Sequence, residues 1–170
     1  SNELSHYDSS NILKVIHLIS SKMGVHGLVG GQILDIKSSS DGFSLDHLKK
    51  LHQKKTGALI ELCIITPAIL ENVSKSDYDK LLQFSQHLGL LFQIVDDILD
   101  VTGDINTLGK TPNKDISLNK LTYITLLGLE KSQELANQEA NLALKTLTFL
   151  SNTQTSLLED IVHYVHKRVS

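Results

Sequence analysis

Apolar residues recur three and four positions apart along most of this 170-residue chain, which is the spacing that places them on one face of an α-helix. The first such run is predicted to begin at Ser9 or Ser10, whose hydroxyl can cap the helix, and it carries Ile12, Ile16 and Met23 on one side. Alternating strand patterns and Asn-Gly hairpin signals are not found in the sequence. The predicted fold class is therefore all-α.

Glycines follow the first helical run. Gly24, Gly27 and Gly31 keep the helical spacing and would leave a stripe without side chains, where another helix or a ligand can approach closely. The alternative is a break after Met23, because glycine costs each helical position about 1 kcal/mol. The predicted elements that follow are a polar turn at 38–42, a short helix over 45–51, a helix from near Thr56 that Pro67 kinks or ends, a long helix from Ser76 to the Asp cluster described next, a Gly-Pro loop, and two or three amphipathic helices ending near Val169.

Carboxylates are concentrated in residues 92–104, FQIVDDILDVTGD, within a run of helical apolar spacing. Asp96 and Asp100 share a face, Asp97 stands about 100° round the axis, and Asp104 follows Asp100 at the same interval. Like charges near a helix C-terminus repel one another and oppose the macrodipole, so a cation is expected. A few helical carboxylates suit Mg²⁺, which keeps waters and completes its octahedron with phosphate oxygens, and they do not match an EF-hand loop. The alternative is a solvated acidic helix end.

Lysines and hydroxyls flank this cluster. Lys55 and Thr56 precede it, and Lys110, Asp115 and Lys120 follow it. Ammonium groups can neutralise the phosphate oxygens that magnesium leaves uncovered. A single lysine is most simply a solvated surface residue, but the joint pattern favours a site for a metal-bridged diphosphate.

Composition argues against several other classes of function. The chain has 16 basic and 19 acidic residues and a formal net charge of −3, and without a basic run it offers little attraction for nucleic acid or an anionic membrane. The single cysteine, Cys63, has no partner within the chain, and pairs such as His163 and His166 lack further zinc ligands. The most apolar stretch, 57–70, is shorter than the roughly 20 residues of a membrane span. A cytoplasmic location is expected.

Motifs in a fixed order give the chain a resemblance to a known family. They are GGQILDI at 30–36, KTGALI at 55–60, FQIVDDILD at 92–100, TLGK at 107–110, and Asp115 followed by KLTY at 120–123. This set resembles the trans-prenyltransferases, or polyprenyl synthases, and among them the farnesyl diphosphate synthases of bacteria. The resemblance implies an all-α helical bundle of the isoprenoid synthase type and a homodimer in the full-length protein.

One feature of that family is missing from the chain. Family members carry two Asp-rich motifs on facing helices, and this sequence matches only the second. The Arg pair that follows the first motif in the family is missing as well, because Arg168 is the single arginine of the chain. Residues 1–170 are therefore expected to form the C-terminal portion of one prenyl synthase domain, with Ser1 and Asn2 a candidate remnant of tag removal. This portion alone is expected to be inactive, because the missing N-terminal half would hold the rest of the metal site.

The resemblance also implies roles for individual residues. The predicted ligands of magnesium, which the family uses as its cofactor, are Asp96, Asp97 and Asp100. The predicted diphosphate-binding residues are Lys55, Lys110, Lys120 and Asp115. The predicted catalytic residues are Lys55, Thr56, Gln93 and Lys110. Gln32 and Phe92 are predicted to line the tunnel for the growing chain.

The implied substrates are isopentenyl diphosphate and an allylic diphosphate, either dimethylallyl or geranyl. Ionising an allylic diphosphate separates a carbocation from a highly charged leaving group. The reaction therefore needs magnesium and lysines to neutralise the diphosphate oxygens, and it needs no protein nucleophile. Two alternatives remain. One is a non-catalytic homologue that binds diphosphates or serves as an interaction subunit of a synthase. The other is a terpene cyclase, which would have no reason to carry KTGALI.

Overall fold

The computed structural model describes residues 6–37, 44–102, 121–148 and 156–169. Those residues are helical and contain no strand, which confirms the predicted all-α class. The elements are α1 (Ser9–Met23), α2 (Leu28–Lys37), α3 (Leu45–His52), a π-helical segment here named π1 (Gln53–Gly57), α4 (Ala58–Leu70), α5 (Lys75–Thr102), α6 (Tyr123–Leu127), α7 (Leu129–Thr146) and α8 (Ser156–Lys167).

The first helical run is interrupted at its glycines. α1 ends at Met23, a turn occupies 24–27, and α2 begins at Leu28, so the structure follows the alternative of a break and not a single glycine-striped helix. The stretch Ser9–Ile36 is 28 residues long and reaches a mean hydropathy of 1.3, which are the length and hydropathy of a membrane span. The break divides it into helices of 15 and 10 residues, and each is shorter than the roughly 20 residues that a span requires.

The first helix begins at Ser9 as predicted, but a different residue caps it. Asp8 Oδ1 accepts a hydrogen bond from the backbone N–H of Ser10 at 2.7 Å. Hydrogen bonds from Ser10 lower the pKa of the Asp8 carboxyl below its usual value. The expectation of a Ser9 or Ser10 cap was therefore wrong by one or two positions, since aspartate is an equally good acceptor at a helix start.

α4 continues past its proline. The helix begins at Ala58, directly after π1, and runs through Pro67 to Leu70, so Pro67 does not end it. A proline removes one N–H donor, and here that loss falls within the last turns of the helix. The predicted helix from Thr56 is thus a π-helical segment followed by an α-helix.

α5 is the central helix of the described fold. It packs against α4, π1, α7 and α8, and its buried side chains include Phe84, Leu91 and Ile98. α7 presents small buried residues such as Ala136 and Ala143, which allow the two helices to approach closely. Burying one large apolar side chain stabilises a fold by about 1.5–3 kcal/mol. The helix that carries the Asp cluster is therefore anchored firmly along its length.

The first two helices leave many large apolar side chains in solvent. The α1–α2 apolar face consists of Leu13, Ile16, Ile19, Val29, Ile33 and Ile36, all of them exposed. Leu13 is 66% exposed and Ile36 is 77% exposed. Because monomeric proteins rarely leave large apolar patches in water, this face has the character of a contact surface.

Candidate active site

Glycine contacts bring the Lys-Thr-Gly segment against two helices. A Cβ on Gly31 of α2 would lie 2.6 Å from the backbone nitrogen of Lys55, and a Cβ on Gly89 of α5 would lie 3.1 Å from Cα of Gly57. Both distances are below ordinary van der Waals contact, so glycine is what permits π1 to approach α2 and α5 this closely. Short π-helical segments occur frequently at functional sites. This packing sets the positions of Lys55 and Thr56, and the close approach predicted for the glycine stripe occurs at Gly31.

The ammonium group of Lys55 forms an ion pair with Asp35. Lys55 Nζ lies 2.6 Å from Asp35 Oδ2, and the two side chains are 34% and 15% exposed. No role is predicted for Asp35 from the sequence, and the structure joins it to a predicted catalytic residue. Its place within GGQILDI was the available signal. The pair holds the Lys55 ammonium at the edge of α2, where it still reaches solvent.

A chain of hydrogen bonds links π1 to α5 and α6. Thr56 Oγ1 donates to Gln93 Oε1 at 3.0 Å, which brings together two predicted catalytic residues 37 positions apart. Gln93 Nε2 in turn approaches Asp97 Oδ1 at 3.4 Å. Asp97 Oδ2 accepts a hydrogen bond of 2.8 Å from the backbone N–H of Tyr123, the first residue of α6. The network therefore runs from the Lys-Thr-Gly motif through the Asp-rich helix to the Leu-Thr-Tyr motif.

The acids of the Asp cluster have different environments. Asp96 is exposed and Asp100 is half-buried, and their spacing places them on one face of α5. Asp97 is 4% exposed and contacts the interior network. Within the described residues, no group of three or more His, Cys, Asp or Glu side chains is arranged to hold a metal ion alone.

The carboxylates of Asp96 and Asp100 nevertheless fit magnesium. Mg²⁺ is commonly bound through one or two carboxylates, with waters and phosphate oxygens filling the rest of its octahedron. Asp96, which is exposed, and Asp100, which is half-buried, offer such oxygens on one face of α5. The magnesium roles of Asp96, Asp97 and Asp100 stay predictions.

The ring of Tyr123 is fully buried beside Asp97. Burial raises the pKa of its phenol far above the usual value, and the negative charges of Asp97 and Glu139 raise it further, so the phenol stays protonated. Within the described part of the chain its hydroxyl has no hydrogen-bond partner. Glu139 Oε2 lies 2.7 Å from His87 Nδ1. This corner of the core is therefore polar, although it contains no predicted catalytic residue.

The remaining predicted site residues are placed apart from this network or lie outside the described residues. Gln32 is exposed on α2, and Phe92 is half-buried and packs against the buried core. Lys110, Asp115 and Lys120 lie outside the described residues, so their roles stay predictions. A cavity of about 830 Å³ between α1, the end of α4 and the start of α5 is lined by none of the predicted site residues.

Comparison with known proteins decides the family. The model of the family described as polyprenyl synthetase matches residues 1–164. This chain belongs to the polyprenyl synthetase family. It is 39% identical over 153 residues to a farnesyl diphosphate synthase of Micrococcus luteus, covering 88% of this chain and 53% of that protein. It is 40% identical over 159 residues to a chloroplastic geranylgeranyl pyrophosphate synthase of Capsicum annuum, covering 91% of this chain and 43% of that protein.

Solved structures agree with this assignment. An FPP/GFPP synthase from Zymomonas mobilis superposes with a TM-score of 0.80 at 31% identity, covering 93% of this chain and 52% of that one. A geranyltransferase from Helicobacter pylori, complexed with magnesium and isoprenyl diphosphate, superposes with a TM-score of 0.77 at 30% identity, covering 96% of this chain and 54% of that one. The resemblance to prenyltransferases and the isoprenoid synthase type of fold are confirmed. The polyprenyl synthetase chain described here spans about half the length of the curated relatives it matches.

Proposed function

We propose that the protein containing this chain is a farnesyl or other short-chain prenyl diphosphate synthase, which joins isopentenyl diphosphate to dimethylallyl or geranyl diphosphate. The observation that carries the proposal is the Thr56–Gln93 hydrogen bond beside the Lys55–Asp35 pair. These are the residue types that an allylic diphosphate requires, namely a cation for its oxygens and neutral dipoles for its reacting carbons.

The carboxylates of α5 would hold the cofactor. Asp96 and Asp100 present oxygen ligands on one accessible face, and the related Helicobacter pylori protein was crystallised with magnesium and an isoprenyl diphosphate. Magnesium bound there would neutralise diphosphate oxygens and so help the leaving group to depart.

Lys55 would bind the allylic diphosphate directly. Its ammonium is held by Asp35 at 2.6 Å yet remains partly exposed, so a phosphate oxygen can replace the carboxylate without a change in the position of the backbone. Charge-assisted hydrogen bonds to phosphate are about twice as strong as neutral ones. Lys110 and Lys120 would complete the diphosphate contacts from the segment that follows α5, and Asp115 would orient a lysine or a metal-bound water there.

Thr56 and Gln93 would act on the carbon side of the breaking bond. As the allylic C–O bond breaks, the diphosphate takes the electron pair and positive charge develops on the allylic carbons. The oxygens of Thr56 and Gln93, fixed to each other at 3.0 Å, offer preorganised negative dipoles for that charge. The double bond of isopentenyl diphosphate then forms the new C–C bond, and the proton lost goes to the released diphosphate. An apolar tunnel that includes Phe92, with Gln32 at its side, would exclude water.

The chain alone is proposed to be inactive, because it spans about half the length of its relatives and contains one Asp-rich motif. Its proposed partners are the rest of the same protein and a second copy in a homodimer.

The test is a comparison of two lysine variants in the full-length protein. Lys55→Gln should lower kcat/KM for geranyl diphosphate about ten- to a hundredfold, because a hydrogen bond to a charged group contributes on that scale. Lys50→Gln removes the same charge from an exposed position of α3 and should leave kcat/KM near the wild-type value. Release of diphosphate with isopentenyl and geranyl diphosphates would be measured at saturating magnesium. Equal behaviour of the two variants would remove Lys55 from the site, and a wild type that forms no prenyl product would overturn the function.

A further inference from the structure

We propose that Asp97 is a positioning residue, which fixes Gln93 against Thr56 and ties the start of α6 to α5. The kinetic part of this proposal rests on the proposed function, whereas the structural part does not. It gives Asp97 a different task from that of its neighbour Asp96, although the two are adjacent in the same Asp-rich motif.

Burial separates the two carboxylates. Asp97 is 4% exposed, whereas Asp96 is exposed to solvent. A buried carboxylate requires donors, because removing its charge from water is costly without them. The backbone N–H of Tyr123 is such a donor at 2.8 Å, a distance typical of a charge-assisted hydrogen bond. The environment of Asp97 thus matches an internal anchor.

The second oxygen of Asp97 determines which way the Gln93 amide faces. Asp97 Oδ1 lies 3.4 Å from Gln93 Nε2, and Gln93 Oε1 accepts from Thr56 Oγ1 at 3.0 Å. A carboxylate can only accept, so it requires the NH₂ end of Gln93 on its side and leaves the carbonyl end for Thr56. Asp97 therefore sets the direction of the Thr56 hydroxyl without itself reaching the reacting atoms.

The same side chain joins two sequence motifs. Tyr123 is the first residue of α6, and Thr122 caps that helix by accepting from the backbone N–H of Thr125 at 3.1 Å. The bond from Tyr123 to Asp97 spans 26 positions and is buried. It fixes the beginning of α6 beside the C-terminal part of the Asp-rich helix.

Replacing Asp97 with asparagine separates the two tasks. The amide oxygen in Asp97→Asn can still accept from the Tyr123 N–H, but its NH₂ group now faces Gln93 and favours a reversed Gln93 amide. We expect kcat to fall about ten- to a hundredfold, with KM for both diphosphates and the half-saturating magnesium concentration nearly unchanged. Adding Gln93→Glu restores an acceptor toward Thr56 and keeps the total charge, so the double variant should recover about tenfold in kcat.

Asp96→Asn is the matched comparison, since it removes the same charge one residue away. It should raise the half-saturating magnesium concentration and leave the Gln93 amide resonances of the metal-free protein unshifted in an NMR spectrum. Asp97→Asn should shift those resonances. Positioning by Asp97 is overturned if Asp97→Asn raises the half-saturating magnesium concentration as much as Asp96→Asn does, or if the double variant shows no recovery.

Hydrogen exchange tests the tie to α6 without any reaction. In the metal-free protein, the amide of Tyr123 should exchange slowly in the wild type and in Asp97→Asn, and about tenfold or more faster in Asp97→Ala. If Asp97→Ala does not fold, Asp97→Asn alone tests the tie between Asp97 and α6. Fast exchange of the Tyr123 amide in Asp97→Asn would refute it. If the wild-type protein showed no prenyl transfer activity, only the kinetic expectations would be withdrawn. The NMR and hydrogen-exchange expectations do not depend on that activity.

Discussion

Adding a single methyl group at Gly31 should displace the catalytic segment. The Cβ would lie 2.6 Å from Lys55 N and 2.8 Å from Lys55 Cα, and both are backbone atoms that cannot rotate away. Restoring ordinary contact would move π1 away from α2 by roughly 0.8 Å. Helix propensity alone would predict that Gly31→Ala stabilises α2 by about 1 kcal/mol. Overpacking costs about 1–3 kcal/mol, so the expected net effect is a loss of stability.

The displacement should reduce catalysis more than it reduces stability. A shift approaching 1 Å at the positioning of reacting groups can cost about a hundredfold in rate, and here it would act on the 3.0 Å bond between Thr56 and Gln93. Gly89→Ala meets Gly57 Cα at 3.1 Å, so it requires a smaller shift and should reduce kcat less. Gly128→Ala is the control for stability, because its Cβ would meet nothing within 4 Å while its φ of +80° is unfavourable for alanine. With its ψ of 167°, this conformation is essentially confined to glycine. The strain costs about 1–3 kcal/mol and should leave kcat unchanged.

Thermal unfolding and steady-state kinetics on the three glycine variants of the full-length protein would check this order. The reasoning fails if Gly31→Ala is as stable as the wild type or more so. It also fails if, well below the unfolding temperature, its kcat equals that of Gly128→Ala.

Two further predictions concern side chains that make no hydrogen bond in the network. Tyr123→Phe should leave the melting temperature unchanged or raise it, because a buried hydroxyl without a partner costs about 1–3 kcal/mol; a marked fall in differential scanning calorimetry would show that the hydroxyl is satisfied in solution. Leu13→Ala should change the stability of the isolated chain by no more than about 0.5 kcal/mol, as substitutions at other exposed sites do. If the α1–α2 apolar face is buried in the full-length protein, the same substitution should destabilise that protein by about 2–5 kcal/mol. Equal effects in the two proteins, measured by urea unfolding, would show that this face remains exposed.

Local rules account for most of what the sequence predicted correctly. The helical spacing gave α1, α3 and α5 nearly at their observed bounds, because amphipathic periodicity survives in the folded chain. The same rules gave the wrong cap for α1 and left the break at 24–27 as an alternative, since both depend on differences of about 1 kcal/mol between neighbouring conformations. The helical wheel also set Asp97 off the face shared by Asp96 and Asp100, and in the structure Asp97 is buried whereas Asp96 is exposed.

What each side chain meets across the fold was beyond those rules. The spacing did not show that Asp97 faces the start of α6, because that contact joins residues 26 positions apart. The Lys55–Asp35 pair likewise depends on the packing of π1 on Gly31. The family resemblance brought Thr56 and Gln93 into one site, and the structure supplied the bond between them.

The π-helical segment Gln53–Gly57 has a consequence for how this chain can change in evolution. A π turn closes its hydrogen bond over five residues where an α turn uses four, so it accommodates one extra residue within a continuous helical path. Deleting one residue there would restore ordinary α-helical bonding between α3 and α4. Because the wider turn takes up the extra residue, the helices on either side would roughly keep their rotation relative to each other, but the residues of the turn itself, Lys55 and Thr56 among them, would lose their present positions. Length changes of a single residue should therefore be rejected between His52 and Ala58, even though the resulting helix would be locally more regular.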